Sequence, residues 1–206
     1  MKNIYYEKIF PYLIEKSLSS DQVTVLRKST LYQAHGDILE IGFGTGLNLA
    51  CYPAGIKKIT VVEEHPNMNR WAERRSKQSS ITVKYHQLSA ERMPFPDGSF
   101  DCVVSTWTLC SIPSVHVALS EIFRVLKPKG RFLFLEHGLS PEANVVFWQK
   151  RLNPFYNCLG GGCHLDRDIE KIIAVSGLKM GSINKFYLNG TPRFNGYVYQ
   201  GWAEKE

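Results

Sequence analysis

At 206 residues the chain has room for one domain with a substantial core and is too short for two comfortable ones. Its 44% hydrophobic and 21% charged content is that of an ordinary soluble globular protein, and no run of roughly 18 apolar residues is present to span a bilayer. The net charge of +6 is spread over short pairs such as Lys57-Lys58, Arg74-Arg75 and Lys150-Arg151; without a long basic run or interleaved aromatics, no nucleic-acid partner is expected. Peripheral attraction to anionic lipid headgroups stays open. Met1 to Lys8 lacks the apolar core of a signal peptide, so the expected location is cytoplasmic. The five cysteines are odd in number and scattered, which argues against a disulfide framework. Cys158, Cys163 and His164 resemble half of a metal site, but no second tight pair completes it, so no metal is expected.

In chain order, residues 3–17 carry apolar side chains at helical spacing, with Pro11 as a kink, and Ser20-Asp21 opens a second helix through Leu31. A short apolar strand, Asp37 to Ile41, then stops at Gly42-Phe43-Gly44-Thr45-Gly46, a pattern expected to turn tightly and feed a helix containing Asn48. Glycines there let the backbone take positive φ and admit a ligand. The G-x-G-x-G spacing departs from the G-x-G-x-x-G of dinucleotide enzymes. Glu40, two residues before the first glycine, would repel a pyrophosphate but accepts from an ammonium or hydroxyl group. A second strand, Ile56 to Glu63, ends in acid about 20 residues past the turn, where a ribose-binding carboxylate belongs; Glu63 is the candidate, with Glu64 beside it. A helix over Pro66 to Ser79 follows, and Met68 in its first turn is placed to cover an adenine face. Strands are then expected at Ile81–His86, Phe100–Ser105 and Gly130–His137, with a helix from Val115 to Leu126 before the last.

The stretch Glu40-Ile-Gly-Phe-Gly-Thr-Gly46 resembles the first motif of the class I S-adenosylmethionine-dependent methyltransferases. Ser89-Ala-Glu-Arg-Met-Pro-Phe-Pro-Asp-Gly-Ser-Phe-Asp101 resembles their D-A-x-x-L-P-F-x-D-x-S-F-D stretch, with Ser89 where many relatives carry an adenine-binding aspartate. Backbone groups of Ala90 and Glu91 would then hold the adenine edge. Leu119 to Phe134 is similar to the family's helix ending in L-K-P-G-G before a strand, with Lys129 in place of a glycine. The resemblance implies a Rossmann-like α/β fold with a seven-stranded, mostly parallel sheet, an antiparallel last strand and helices on both faces. It implies one domain: an N-terminal helical cap (1–35) with Tyr5, Tyr6 and Tyr12 as lid candidates, a cofactor-binding core (36–137), and an acceptor-side region (138–206). S-adenosylmethionine, leaving as S-adenosylhomocysteine, would lie over the glycine turn and Glu63. Thr106, Trp107 and Cys110, just past the fourth strand, would sit over the middle of the site.

The C-terminal third narrows the acceptor. Thr108-Leu-Cys-Ser111, Glu136-His137, Trp148-Gln149 and Gly162-Cys-His-Leu165 resemble segments of the small thiol S-methyltransferases. A small-molecule acceptor is implied, with a thiol as the first candidate; phospholipid and quinone-precursor methyltransferases, and a non-catalytic S-adenosylmethionine-binding protein, are the alternatives. His137 is the candidate base because imidazole titrates near neutrality. Glu136 and His164 are reserves, and Trp148 is a pocket candidate on a helix expected over 142–156 with Phe147, Leu152 and Phe155 on its apolar side. Asn153-Pro-Phe-Tyr156 does not follow the fourth strand, as an amino-methylation turn would, and reads as a helix end. A helix from Asp166 to Ser176 and strands near Leu178–Tyr187 and Asn195–Trp202 close the fold.

Overall fold

A computed structural model describes Tyr5, residues 9–65 and residues 69–206. Helices α1 (Phe10–Leu18) and α2 (Asp21–Leu31) precede strand β1 (Ile38–Ile41), a 3-10 turn (Leu47–Ala50) and β2 (Lys58–Val62). Then come α3 (Asn69–Gln78), β3 (Thr82–His86), β4 (Phe100–Thr106), α4 (Val115–Val125), β5 (Leu126–His137), α5 (Ala143–Leu159), α6 (Ile169–Ala174), β6 (Lys179–Tyr187) and β7 (Tyr197–Glu204). The seven strands form one sheet in the order β3-β2-β1-β4-β5-β7-β6. Neighbours from β3 to β5 pair in parallel, and β7 runs antiparallel to both β5 and β6.

The strands read as apolar runs because both faces are covered. Leu39, Ile41, Phe132 and Phe134 pack with α4 and α6 on one face, while Ile38, Ile59, Val104 and Leu133 pack with Leu31 of α2 and Ala72 of α3 on the other. Strand order reverses between β1 and β4. Ile41 lies opposite both Val62 and Ser105, so Gly42, Glu63 and Thr106 emerge side by side at that crevice.

Four expectations need correction. The glycine turn leads into four residues of 3-10 helix rather than an α-helix, because Pro53 disfavours helical backbone at Tyr52. Pro11 occupies the first turn of α1, where its missing N–H costs nothing, and does not kink it. Helix α5 runs on past the expected end at Asn153–Tyr156, through Pro154 to Leu159, and Asn153 Oδ1 accepts from Leu165 N at 2.8 Å. The face of α5 that is buried belongs to Val145 and Gln149, leaving Phe147, Trp148 and Phe155 exposed. Gln149 takes the inward position because its amide donates to Gly138 O (2.9 Å) and accepts from Ser140 N (3.0 Å).

Candidate active site

The crevice opens into a cavity of about 570 Å³ that runs from the glycine turn to the end of β5. Helices α1 and α2 supply its roof through Phe10, Ile14, Val23 and Arg27. Of the lid candidates, Tyr12 is exposed and does not line the cavity, Tyr5 donates to Leu159 O at 2.7 Å, and Tyr6 lies outside the described residues.

At the glycine end the backbone is shaped for a ligand. Gly42 and Gly44 have φ of 72° and 54°, in the left-handed region that favours glycine. A Cβ on Gly42 would come within 2.0 Å of Thr108 Oγ1, whereas one on Gly44 would meet nothing nearer than 3.9 Å and so project into open space. Glu63, only 6% exposed, is fixed by backbone donors, with Gly44 N on Oε2 (2.7 Å) and His65 N on Oε1 (2.9 Å). A carboxylate has about four acceptor positions, so this arrangement leaves capacity for two hydroxyl donors. Burial raises its pKa, opposed by the two amide bonds.

Glu40 lines the cavity but is already engaged, by Tyr52 OH (2.7 Å) and Asn48 Nδ2 (3.0 Å). Two bonds leave it the same spare acceptor capacity as Glu63 for a ligand ammonium or hydroxyl group. Burial pushes its pKa up to about 7, with Tyr52, Asn48 and the charge of Arg27 pulling the other way. Arg27, which the sequence reading passed over, is 4% exposed and donates to Asn48 Oδ1 (2.7 Å) and Thr106 Oγ1 (2.8 Å), beneath the Trp107 ring. It sits on the buried stripe Val23, Arg27, Thr30 and Leu31 of α2. A lone arginine in an otherwise inward-facing helical stripe was the available signal. It can hold an anionic group such as a carboxylate.

The turn after β4 is propped from below. Trp107 has φ of 51°, a strained conformation for a bulky residue. Thr108 N donates to both oxygens of Glu136 (3.1 and 2.9 Å), and Ser105 Oγ donates to Oε1 at 2.7 Å. Glu136 is fully buried and does not line the cavity, so it holds the turn instead of touching an acceptor. Burial first, and the charge of Cys110 second, push its pKa up to about 8.

Beyond that turn, three soft donors from distant segments meet. Cys110 Sγ, His137 and Cys163 Sγ have ligating atoms within 4.8 Å of one another, and His137 Nε2 lies 3.1 Å from Cys163 Sγ. The loop bearing Cys163 is tied to the β4 turn by His164 N donating to Cys110 O (2.9 Å) and by Arg167 donating to Leu109 O. The Cys163 thiol donating to Cys110 holds the latter's pKa well below its ordinary value against the opposing effect of burial, with help from the His137 charge. Burial lowers the His137 pKa but the neighbouring Cys110 sulfur more than restores it, so the net shift is upward. The Cys163 thiol is pushed up because it is the donor of that pair and is buried.

The structure thus brings together Glu40, Gly42, Phe43, Gly44, Thr45, Asn48, Glu63, Thr106, Trp107, Cys110 and His137 around one cavity. Gly46 stands behind it, shaping the turn at φ 79°. Glu64 is exposed and outside the cavity. Ser89 caps its own turn by accepting from Glu91 N (3.3 Å), Ala90 is core, and the Glu91 carboxylate accepts from Ser114 N (2.6 Å). Met68 lies outside the described residues. Trp148 is 54% exposed and away from the cavity. His164 faces Asn153 and Asn157, and Cys158 is exposed, so the cluster suggested by their spacing with Cys163 is not assembled. Four buried side-chain polar atoms lack a partner among the described residues, and three of them, Arg27 Nε, His137 Nδ1 and Asn195 Oδ1, belong to residues lining this cavity. A cavity of about 570 Å³ lined by these groups fits a polar ligand of the size of a nucleoside.

Comparison with known proteins agrees. Residues 39–134 match the family described as the methyltransferase domain. The chain is 38% identical over 144 residues to the rat (Rattus norvegicus) thiol S-methyltransferase TMT1B, covering 65% of this chain and 58% of that protein. It is 30% identical over 140 residues to the phosphatidylethanolamine N-methyltransferase of Cereibacter sphaeroides, covering 68% of each. A crystal structure of a SAM-dependent methyltransferase from Thermotoga maritima superposes over 100% of both chains with a TM-score of 0.69 at 18% identity, which speaks to the fold. The chain spans 56–58% of the length of the thiol S-methyltransferases it matches. With its 3-2-1-4-5-7-6 sheet, its glycine turn and these relatives, the chain belongs to the class I, S-adenosylmethionine-dependent methyltransferase domain family.

Proposed function

We propose that this protein transfers a methyl group from S-adenosylmethionine to the sulfur of a small thiol. The observation that carries the reading is the division of one cavity: a glycine turn with an oriented carboxylate at one end, and an imidazole facing sulfur at the other. When bound, S-adenosylmethionine supplies a methyl already activated on its sulfonium. Glu63 binds the ribose hydroxyls, the Gly42–Gly46 turn lets the chain approach without side chains, and Arg27 takes the carboxylate. Trp107 and the roof of Phe10 and Ile14 exclude water. Orientation of this kind contributes roughly 7–11 kcal/mol to bringing two reactants together. The acceptor must reach the nucleophilic thiolate form, and His137 is the group at that end able to draw the proton away.

Residues 1–35 act in this reading as a cap over the cofactor, and the chain works on a soluble acceptor in the cytoplasm. Among the described residues no helix is long and apolar enough to cross a membrane. A second reading, N-methylation of a phospholipid headgroup, is favoured by the match to the Cereibacter sphaeroides enzyme. A screen with methyl-labelled donor against thiols, phospholipids and quinol precursors separates them. Label in an alkyl or aryl thiol supports the proposal; label in phosphatidylethanolamine alone contradicts it. His137→Ala is expected to lower turnover at least about a hundredfold with S-adenosylhomocysteine affinity unchanged; loss of cofactor affinity instead would exclude the acceptor-side role.

A further inference from the structure

Cys110, His137 and Cys163 form a set that proton transfer alone does not call for. One imidazole suffices to take a proton, yet two cysteines from separate segments converge on it, and the loop carrying the second is anchored to the turn carrying the first. The geometry points to a zinc site: Cys110 Sγ, His137 Nε2 and Cys163 Sγ hold one Zn²⁺ whose fourth position opens to the cavity and receives the acceptor thiol. The inference rests on the thiol reading above and specifies how the acceptor is held.

Two thiolates and an imidazole make a borderline-soft donor set suited to zinc. Three protein ligands with the fourth left open is the pattern of zinc sites that bind substrate, as against closed structural sites. Tetrahedral bonds of about 2.3 Å to sulfur and about 2.0 Å to nitrogen place donors about 3.5–3.8 Å apart. The donors here span at most 4.8 Å, with Nε2 and Cys163 Sγ at 3.1 Å, so side-chain rotation alone meets that requirement. Nε2 is the ring nitrogen that faces Cys163, so a neutral ring carrying its proton on Nδ1 presents the Nε2 lone pair to the metal. All three residues line the cavity, so the entry path and the open position are the same space. Cys158 and His164, nearer in sequence, point elsewhere and take no part.

The reaction balances without an oxidant or reductant. Metal binding releases the protons of Cys110 and Cys163. The acceptor thiol loses its proton to solvent on binding the zinc, so His137 promotes the thiolate through the metal it ligates and is not itself the proton acceptor. Its sulfur lone pair then forms the new S–CH₃ bond while the methyl–sulfonium bond breaks, and that electron pair stays on S-adenosylhomocysteine. The thioether product, uncharged, is a weak ligand and departs.

The test uses the purified full chain. Elemental analysis after incubation with Zn²⁺ and gel filtration is expected to give about one zinc per chain, and about a tenth or less in Cys110→Ser and in Cys163→Ser. A cooperative thermal transition and wild-type far-ultraviolet circular dichroism in both variants show that they fold. Replacement by Co²⁺ is expected to produce a sulfur-to-cobalt absorption band that shifts when an alkyl thiol is added. Zinc well below one per chain in the wild type, equal zinc in the variants, or a Cys110–Cys163 disulfide in place of metal would overturn the inference. Undiminished thiol methylation by chelator-treated, zinc-free protein would overturn it too while leaving the thiol reading intact. Stoichiometric zinc with no thiol methylated would leave the site and remove the thiol reading.

Discussion

The two ends of the cavity are built in opposite ways. The glycine end is local: a strand, a turn and the tip of the adjacent strand, with Glu63 fixed by backbone donors and Arg27, Asn48, Glu40 and Tyr52 closing a hydrogen-bonded network beneath. The far end is assembled from three segments, and His137 and Cys163 are 26 residues apart. A binding surface made by main chain tolerates little variation in the residues that form it. One made by side chains on separate loops can be changed without unfolding the sheet. The difference matches a shared donor and an acceptor that varies among relatives.

Substitutions can break this division, and the largest effect is expected in the buried network. Arg27→Met removes the cation facing Glu40 and leaves a buried carboxylate without its counter-charge, costing about 3 kcal/mol. Denaturant unfolding checks the loss, and the double variant with Glu40→Gln should recover most of it. Next, Gly44→Val forces a branched residue to φ of 54° and fills the space above the turn. S-adenosylhomocysteine affinity should fall about a hundredfold by calorimetry, since each factor of ten is about 1.4 kcal/mol.

A smaller effect is expected at the prop under the β4 turn. The Glu136 pKa is raised from 4.5 to about 8, so the folded state holds that proton more tightly than the unfolded chain. The stability this contributes is complete below 4.5 and is lost as pH rises through about 8. Glu136→Gln, which cannot titrate, should flatten the fall in melting temperature across that window; an unchanged slope would exclude Glu136 as its source. Smallest of all, Trp148→Ala should change stability by less than about 0.5 kcal/mol and leave cofactor affinity unchanged, because the ring is exposed and outside the cavity.

What could be read from the sequence follows the same division. The strand–glycine–strand–acid pattern announces itself because each part lies next to the one it serves, and the turn geometry demands glycine. The aromatic stripe of α5 reads as its inward face, yet Gln149 holds that position in place of Trp148 through bonds to Gly138 and Ser140 that no hydropathy pattern encodes. Arg27 was passed over because a charge on a helix ordinarily marks its wet side. The Cys110–His137–Cys163 cluster was beyond reach because it depends on β4 pairing with β5 and on a loop folding back over both. Spacing draws attention to Cys158 and His164 instead, but Cys158 is exposed and His164 is engaged with Asn157.

The most direct test of the account is a calorimetric titration of S-adenosylhomocysteine into the wild type and Glu63→Gln. One site per chain, weakened about tenfold in the variant, is the predicted result, in keeping with the loss of a charge-assisted hydrogen bond. Equal affinity in the two proteins, or no binding to either, would contradict it.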